Sequence, residues 1–476
     1  MDNNFWNDIT QEYLRTLPLP ALRSLARRAN INDYSIMSTT TLCEALLAKK
    51  ESLQQEEPKV EQPATAAPTM TFEMAEEIVR RRNGMKDAWN ETNVADCEIR
   101  EGLLEILPDG YGFIRVERFR NTPRDAYLPA MRIKRYNLRM GDLLKAYVRP
   151  SVDGKPGAVA SIIAINGHEN WLPDNKRPAF ENFTPVYPDQ RFRLEVPSKR
   201  AELATRCIDL LAPIGKGQRA MIVSPPKAGK TTLLKMIANS LTTNHPEAKL
   251  LVVLIDERPE EVTDMQRSIQ GDVYYSTFDE ECDNHIKVAE MALARAKRLV
   301  EEGADVVILL DSLTRMARAN NVVVPSSGKT LSGGVDPVAL YFPKRFFGAA
   351  RNIENGGSLT VIATALVDTG SRMDDIVYEE FKGTGNMEVH LDRRLSEKRI
   401  FPAIDLAKSG TRKEELLLTQ KELEGEYNLR RLLASGDNQE AAEAIINMMS
   451  KTATNADFLQ SVELYVAKLR KDGFRV

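Results

Sequence analysis

Cysteine is scarce and scattered in this chain. Cys43, Cys97, Cys207 and Cys282 form no C-x-x-C pair, which argues against a disulfide framework or a zinc site and for reduced thiols. His168, His245, His285 and His390 are the four histidines, and they show no metal-ligand spacing. No apolar run approaches membrane-spanning length. The stretch Met1–Asp8 is acidic and polar, unlike a secretory leader. A cytoplasmic protein with no membrane partner is expected. Neither charge dominates: 65 Lys and Arg face 68 Asp and Glu. No global field therefore advertises a polyanion partner, and any such site must come from local clustering. There is no internal repeat.

The length of 476 residues points to more than one domain. Residues 1–50 read as a small helical domain. Leu22, Leu25, Ala26 and Ala29 share one helical face, and Leu42, Ala45, Leu46 and Ala48 share another after a start signal at Ser38–Thr41. Residues 51–96 read as a linker, rich in Glu, Gln, Pro and Ala to residue 70, with a short charged helix near 71–82. Residues 97–168 carry short β-type runs at 99–106, 111–116, 143–148 and 159–165, separated by turn signals such as Pro108-Asp-Gly110. They predict a five-stranded barrel of the oligonucleotide-binding type. Residues 169–200 are proline-rich and predict an extended connector. From 201 to 476, apolar strands (219–223, 250–255, 305–310, 358–366) alternate with helical patterns, the signature of a parallel α/β sheet. Ile286, Ala289, Leu293, Ala296 and Val300 define one helix face, and Gly303 suits its end.

The strongest chemical signal is Ser224-Pro-Pro-Lys227-Ala228-Gly229-Lys230-Thr231-Thr232, between an apolar strand and a helical pattern. Strand, tight loop and helix is the context of a phosphate-binding loop, although Ser224 stands where the pattern has its first glycine. Backbone N–H groups and the helix N-terminus form an anion cradle. Lys230 can reach β- and γ-phosphates, and the Thr231 hydroxyl can ligate Mg²⁺. Val306–Asp311 is an apolar run ending in an acid that can orient the metal and its waters. Leu250–Ile255 leads into Asp256-Glu257-Arg258, where a carboxylate can polarise the attacking water.

In the barrel, Tyr111 and Phe113 are two apart on a strand and share a side. They either face the core or present a stacking platform for single-stranded bases. Residues 111–150 hold ten Lys or Arg against three acids. Together, on this fold, these features favour single-stranded nucleic acid. Three loops each offer a cation. Pro325–Gly334, with Lys329, follows a valine run. Asp368–Met373 carries Arg372. Ser409-Gly-Thr-Arg412-Lys413 reads as a flexible basic loop. Composition alone makes all three exposed connections.

With these segments in place the chain resembles the Rho family of bacterial transcription termination factors. The resemblance is carried by 224–231, Asp256-Glu-Arg-Pro-Glu-Glu-Val262, Leu309–Ser312, Gly333–Asp336, Pro343–Arg351, Phe381–Met387 and Ser409–Glu415. It implies a RecA-like P-loop ATPase core in a homohexameric ring. It further implies an RNA-dependent ATPase and RNA–DNA helicase that loads on pyrimidine-rich nascent RNA, moves 5′ to 3′ with ATP and Mg²⁺, and dissociates the RNA polymerase elongation complex. By position, Lys227, Lys230 and Thr231 bind phosphate and Mg²⁺, within a nucleotide contact running over 227–232 with Arg258. Asp311 belongs to the metal shell, Glu257 is the base, Arg412 the arginine finger, and Phe401 the ring on adenine. Lys329 and Arg372 fall in loops that grip RNA in the central pore. Tyr111, Phe113, Arg115, Asp125 and Tyr127 match the primary RNA site. Arg372 departs from the family's usual lysine; its planar fork contacts RNA differently. The Asp153–Ala160 turn lacks an acid–aromatic pair that helps enclose cytosine, and residues 51–70 resemble an insertion.

Two other readings share parts of this pattern. A rotary-ATPase-like subunit would have the same core but no basic aromatic barrel surface. A non-enzymatic RNA-binding module would not need Lys230, Glu257 and Asp311 together.

Overall fold

The structure is a computed structural model. It describes residues 38–41, 43, 45 and 46, and residues 96–472 apart from 118, 151–155, 170–176, 197–201 and 435–437. The chain forms two compact units, Met1–Asn90 and Glu91–Val476. In the first, the described residues from 39 to 46 are helical, and the Ser38 hydroxyl accepts from the Thr41 N–H at 3.3 Å, as the start signal predicts. The pattern at 22–29, the linker at 51–70 and the charged helix at 71–82 lie outside the described residues.

The second unit begins with a closed barrel of five strands: β1 (Glu98–Ile106), β2 (Gly112–Arg115), β3 (Ala126–Leu128), β4 (Leu143–Arg149) and β5 (Gly157–Ile165). Their order is β1-β2-β3-β5-β4. Leu104, Ile114, Leu128, Leu144, Val148 and Ile165 fill the interior. Two elements of the barrel went unread in the sequence. Strand β3 has three residues, too few for a period to register, and helix α1 (Ala130–Arg135) buries only Ile133. The predicted turn over 153–160 is shorter than expected, because β5 already begins at Gly157. The connector is not a free extended segment. Phe180, Phe192, Leu194 and Val196 are buried, and β6 (Pro185–Val186), β7 (Arg191–Phe192) and α2 (Leu203–Leu211) follow along it.

Beyond β8 (Ile214–Gly215) lies a sheet of nine strands. Its main path runs β11 (Asp272–Thr277), β10 (Lys249–Glu257), β12 (Asp305–Asp311), β14 (Ser358–Leu366), β9 (Arg219–Ser224), β15 (Met387–Leu391), β16 (Ile404–Thr411). All neighbours are parallel except β15 and β16. The short β13 (Arg351–Ile353) links β14 to β6. The central strands are apolar throughout because both faces are covered. Along β12, Val307 and Leu309 join one core, and Val306, Ile308 and Leu310 the other. The first core is closed by α2, α3 (Lys230–Asn244), α4 (Pro259–Ser268) and the C-terminal helices; the second by α5 (Cys282–Glu301), α6 (Leu313–Val323), α7 (Tyr341–Phe347) and α8 (Arg372–Lys382). After α9 (Arg393–Glu397) and β16, helices α10 (Gln420–Ala434), α11 (Asn438–Ser450) and α12 (Asn455–Lys471) finish the chain. The α5 face at Ile286–Val300 is where the spacing puts it, and Gly303 beyond its end has φ +86°.

The barrel is clamped onto α5. Gly141 sits at φ +84°, and a Cβ there would lie 2.4 Å from the Ala294 carbonyl carbon. Arg139 pairs with Glu301 of α5 at 2.9 Å, and Arg177 of the connector pairs with Asp142 of the barrel at 2.6 Å. Gly141→Ala should cost about 1–3 kcal/mol through overpacking against backbone, read as a lower denaturation midpoint. An unchanged midpoint would mean that this contact does not hold the barrel.

Candidate functional site: a nucleotide cleft and an aromatic barrel face

The phosphate loop leaves the C-terminal end of β9, and Gly229, just before α3, is left-handed at φ +93°. Lys227 is also left-handed, at φ +66°. Left-handed residues on either side of Ala228 alternate the backbone conformation and turn N–H groups inward, as an anion cradle needs. Lys230 starts the helix. Its ammonium meets Glu257 Oε1 at 3.2 Å and also pairs with Asp311 Oδ1. Both carboxylates are buried. Three charges from three elements thus converge where the sheet's C-terminal edge opens, the usual place for ligands in such sheets.

Glu257 owes its direction to a bulge. The β10–β11 register shifts between Ile255 and Glu257, and Asp256 takes φ +57°. Such local strain re-aims one side chain. Arg315 of α6 approaches Glu257 Oε2 at 3.3 Å and donates to the Asp256 carbonyl. Arg315 is a member of this site that sequence reasoning missed; nothing in its spacing announces it. Thr364 was also missed; its hydroxyl donates to Asp311 Oδ1 at 2.8 Å. Asp311 Oδ2 is buried with no hydrogen-bond partner. An orphaned carboxylate oxygen is costly unless a cation or its waters complete it, so the donor set fits a hard divalent ion. The Thr231 hydroxyl lies 3.4 Å from Glu261 Oε2. Arg258 is exposed and pairs loosely with Glu261 at 3.6 Å.

Beside the loop lies an apolar pocket lined by Ala228, Gly229, Thr232, Met236, Leu391, Phe401 and Ile404 among others. Phe401 is 52% exposed, and it lines the same pocket as Ala228 and Gly229 of the phosphate loop. That arrangement suits a purine base.

Arg412 is exposed and lies elsewhere. Its N–H donates to the Asn386 carbonyl at 2.8 Å, and Asn386 Oδ1 accepts from the Arg219 N–H at 2.9 Å. Arg412 therefore sits at the start of β9, whereas the phosphate loop sits at its end. Six residues of strand separate them by roughly 15–20 Å. Residues 409–411 are not the flexible loop the composition suggested. They complete β16, with Thr411 opposite Met387, so only Arg412 and Lys413 project. Lys413 rests its ammonium 3.6 Å from the Tyr187 ring centroid. Burial first, then the neighbouring cations Arg351 and Arg412, hold Arg219 below its ordinary pKa.

The other two loops adjoin. A Cβ on Gly333 would lie 2.9 Å from the Met373 nitrogen and 3.0 Å from the Arg372 carbonyl carbon. Lys329 and Arg372 are both exposed. The valine run before 325 is the end of helix α6, not a strand, because Leu313–Val323 packs Met316 and Ala317 into the second core.

On the barrel, Ile114 points inward while Tyr111, Phe113 and Tyr127 are half-exposed outside. The three rings form a triad with centroids 5.6–6.0 Å apart. Arg115 and Asp125 are buried behind it. The Arg115 guanidinium lies 4.8 Å from the Phe113 centroid and pairs with Asp125 at 2.7 Å and with Glu105. Asp125 also accepts from the Val116 and Thr122 N–H groups. No helix among the described residues is long and apolar enough to cross a membrane.

Fold and site together define a RecA-like P-loop ATPase core carrying an oligonucleotide-binding barrel. Residues 204–411 match the ATP synthase alpha/beta family, nucleotide-binding domain, and residues 100–170 match the Rho termination factor, RNA-binding domain. The chain is 53% identical to transcription termination factor Rho of Chromobacterium violaceum over 78% of its length and 90% of that protein's. It is 55% identical to the Bacillus subtilis Rho over 76% and 84%, and 53% identical to the Escherichia coli K12 Rho over 76% and 87%. A solved structure described as a prototypical ATPase from the type III secretion system is more distant: TM-score 0.49, 24% identity, 58% of this chain and 85% of that one. The chain belongs to the transcription termination factor Rho family.

Proposed function

We propose that this protein is a cytoplasmic, homohexameric RNA-dependent ATPase and RNA–DNA helicase. It loads on pyrimidine-rich nascent RNA, moves 5′ to 3′ and terminates transcription by dissociating RNA polymerase. One observation carries the reading: a single compact unit holds both the Lys230–Glu257–Asp311 cleft and the half-exposed Tyr111–Phe113–Tyr127 triad.

In this reading the backbone at 227–229 cradles the phosphates. Lys227 and Lys230 neutralise them, Thr232 and Phe401 flank the adenine, and Arg258 adds a cation at the cleft mouth. Thr231 and Asp311 would hold Mg²⁺, Asp311 through water; the ion would neutralise developing phosphate charge. ATP draws the Lys230 ammonium off Glu257, freeing that carboxylate to take the proton of the attacking water. Arg412 lies at the wrong sheet edge for its own nucleotide, so it serves a neighbour's, which requires a ring. Lys329 and Arg372 line the pore and hold RNA phosphates. Bases stack on the triad, and Arg115 and Asp125 fix the rings and offer donors and acceptors to base edges.

ATP hydrolysis measured with poly(C), poly(U), duplex DNA and no nucleic acid tests the whole. Stimulation by single-stranded pyrimidine RNA and not by duplex is expected; equal rates in all four would sink it. Phe113→Ala and Tyr127→Ala should each weaken oligo(C) binding by roughly 1–3 kcal/mol, the value of one base stack, with ATP affinity unchanged. Normal binding joined to lost stability would make these rings packing residues.

A further inference from the structure

The barrel triad and Glu257 are joined by a short run of contacts that the catalytic reading does not use. It starts behind the triad. Glu105, opposite Phe113 in the β1–β2 ladder, divides its carboxylate between two cations. One is Arg115, under the Phe113 ring; the other is Lys287 of α5, at 2.9 Å. Asp125, the second partner of Arg115, also ties down the loop between β2 and β3 through Thr122. That loop reaches the ATPase sheet. Phe119 is buried against Tyr274 and Tyr275, with centroids 5.6 and 5.2 Å away. Arg120 lies 4.5 Å from the Tyr275 centroid and donates to Glu280 at 3.3 Å.

The far end is the edge strand β11, which pairs on one side only. Its tip reaches the backbone that carries the catalytic carboxylate: Thr277 lies opposite Glu257 across the bulge, and the Phe278 N–H donates to the Glu257 backbone carbonyl at 3.1 Å. Glu280 also accepts from the Ser276 hydroxyl at 3.0 Å. Strand β11 is held by β10 along one edge and by α4 and α5 packed against it, and its other edge has no strand partner. Here the barrel loop rests on it, at the residues beside the bulge that aims Glu257.

We infer that Arg120 and the Glu105–Lys287 pair are positioning residues that couple a strand bound on the barrel triad to the placement of Glu257 in the same subunit. The inference rests on the barrel being an RNA site. The chemistry gives it a direction. A phosphate or base edge arriving at the triad competes for Arg115's donors, since a guanidinium prefers a bidentate anion. Glu105 and Asp125 are then less tightly held by Arg115, Glu105 is released toward Lys287, and the loop shifts on Tyr275 and Glu280.

The test measures binding and hydrolysis on the same samples of the full protein. Arg120→Ala and Lys287→Gln should each bind labelled oligo(C) without nucleotide to within about twofold of wild type, as surface changes away from the strand do. Hydrolysis without RNA should be unchanged in both. With saturating poly(C), stimulated kcat should fall at least about fivefold, the lower end of inter-site coupling, with KM for ATP unmoved. Arg120→Lys, which keeps a cation over Tyr275, should recover part of the stimulation. Full stimulation in both variants at saturating RNA would overturn the proposal. So would a loss of stimulation that only tracks lost oligo(C) affinity, because these residues would then be RNA contacts. Phe113→Ala run in parallel separates the underlying reading: if it binds and responds to RNA normally, the triad is not the RNA site and the coupling falls with it. Should Arg120→Ala unfold early by thermal melt, Lys287→Gln decides alone.

Discussion

Glu257→Gln should bind ATP as tightly as wild type and lose hydrolysis by on the order of 10²-fold or more, the range for a missing general base. The substitution keeps size, burial and backbone, so the bulge at Ile255–Glu257 and the left-handed Asp256 stay in place. What disappears is the capacity to accept a proton. The amide also ends the charge pairing with Lys230 and Arg315. Freed from Glu257, Lys230 is left with Asp311 and the incoming phosphates, so nucleotide affinity should hold or rise slightly. Nucleotide binding by fluorescence and steady-state turnover with saturating poly(C) distinguish the outcomes. Near-normal turnover would remove Glu257 from the mechanism. Joint loss of binding and turnover would mean that the Glu257 charge organises the cleft rather than the water.

Much of this cleft was legible because it is local. The loop at 224–232 lies between two elements whose periods differ, and Asp311 and Glu257 each end or follow a run of apolar residues. Runs of that kind register as buried strands without knowledge of their neighbours. The elements that went unread are those whose apolar character depends on partners. Strand β11, Asp272-Val-Tyr-Tyr-Ser-Thr277, is an edge strand with mixed polarity, and its tyrosines find their partners in the core under α5 and in Phe119 and Arg120 from the barrel. Strand β16 includes Ser409, Gly410 and Thr411, which read as loop; pairing with β15 makes them strand. Arg315 carries no mark in the sequence because its relevance comes from the position of α6 over β10. The barrel's ring triad was half legible. The spacing of Tyr111 and Phe113 put them on one side, but only the packing of Ile114, Leu104 and Leu128 decides which side is core.

Arg412→Ala should abolish RNA-stimulated hydrolysis while leaving ATP binding and assembly largely intact. Arginine fingers contribute about 10³–10⁵-fold to turnover, wholly in the transition state. The geometry gives the prediction its form. Arg412 stands at the opposite end of β9 from the phosphate loop, beside Arg219 and Arg351, with its side chain exposed. No rotamer spans that distance. If Arg412 acts on ATP at all, the ATP belongs to another copy of the chain. Mixing decides. Arg412→Ala and Lys230→Ala subunits should each be inactive alone. In a mixed ring, an interface between an intact phosphate loop and an intact finger arises wherever an Arg412→Ala subunit presents its nucleotide to a Lys230→Ala neighbour. Those interfaces should recover measurable hydrolysis, with a maximum at intermediate mixing ratios. Absence of recovery at every ratio, in rings verified as mixed by mass, would mean that Arg412 acts within its own chain or that hydrolysis needs every site in the ring. Recovery proportional to either variant alone would mean that one of the two substitutions had not inactivated its subunit.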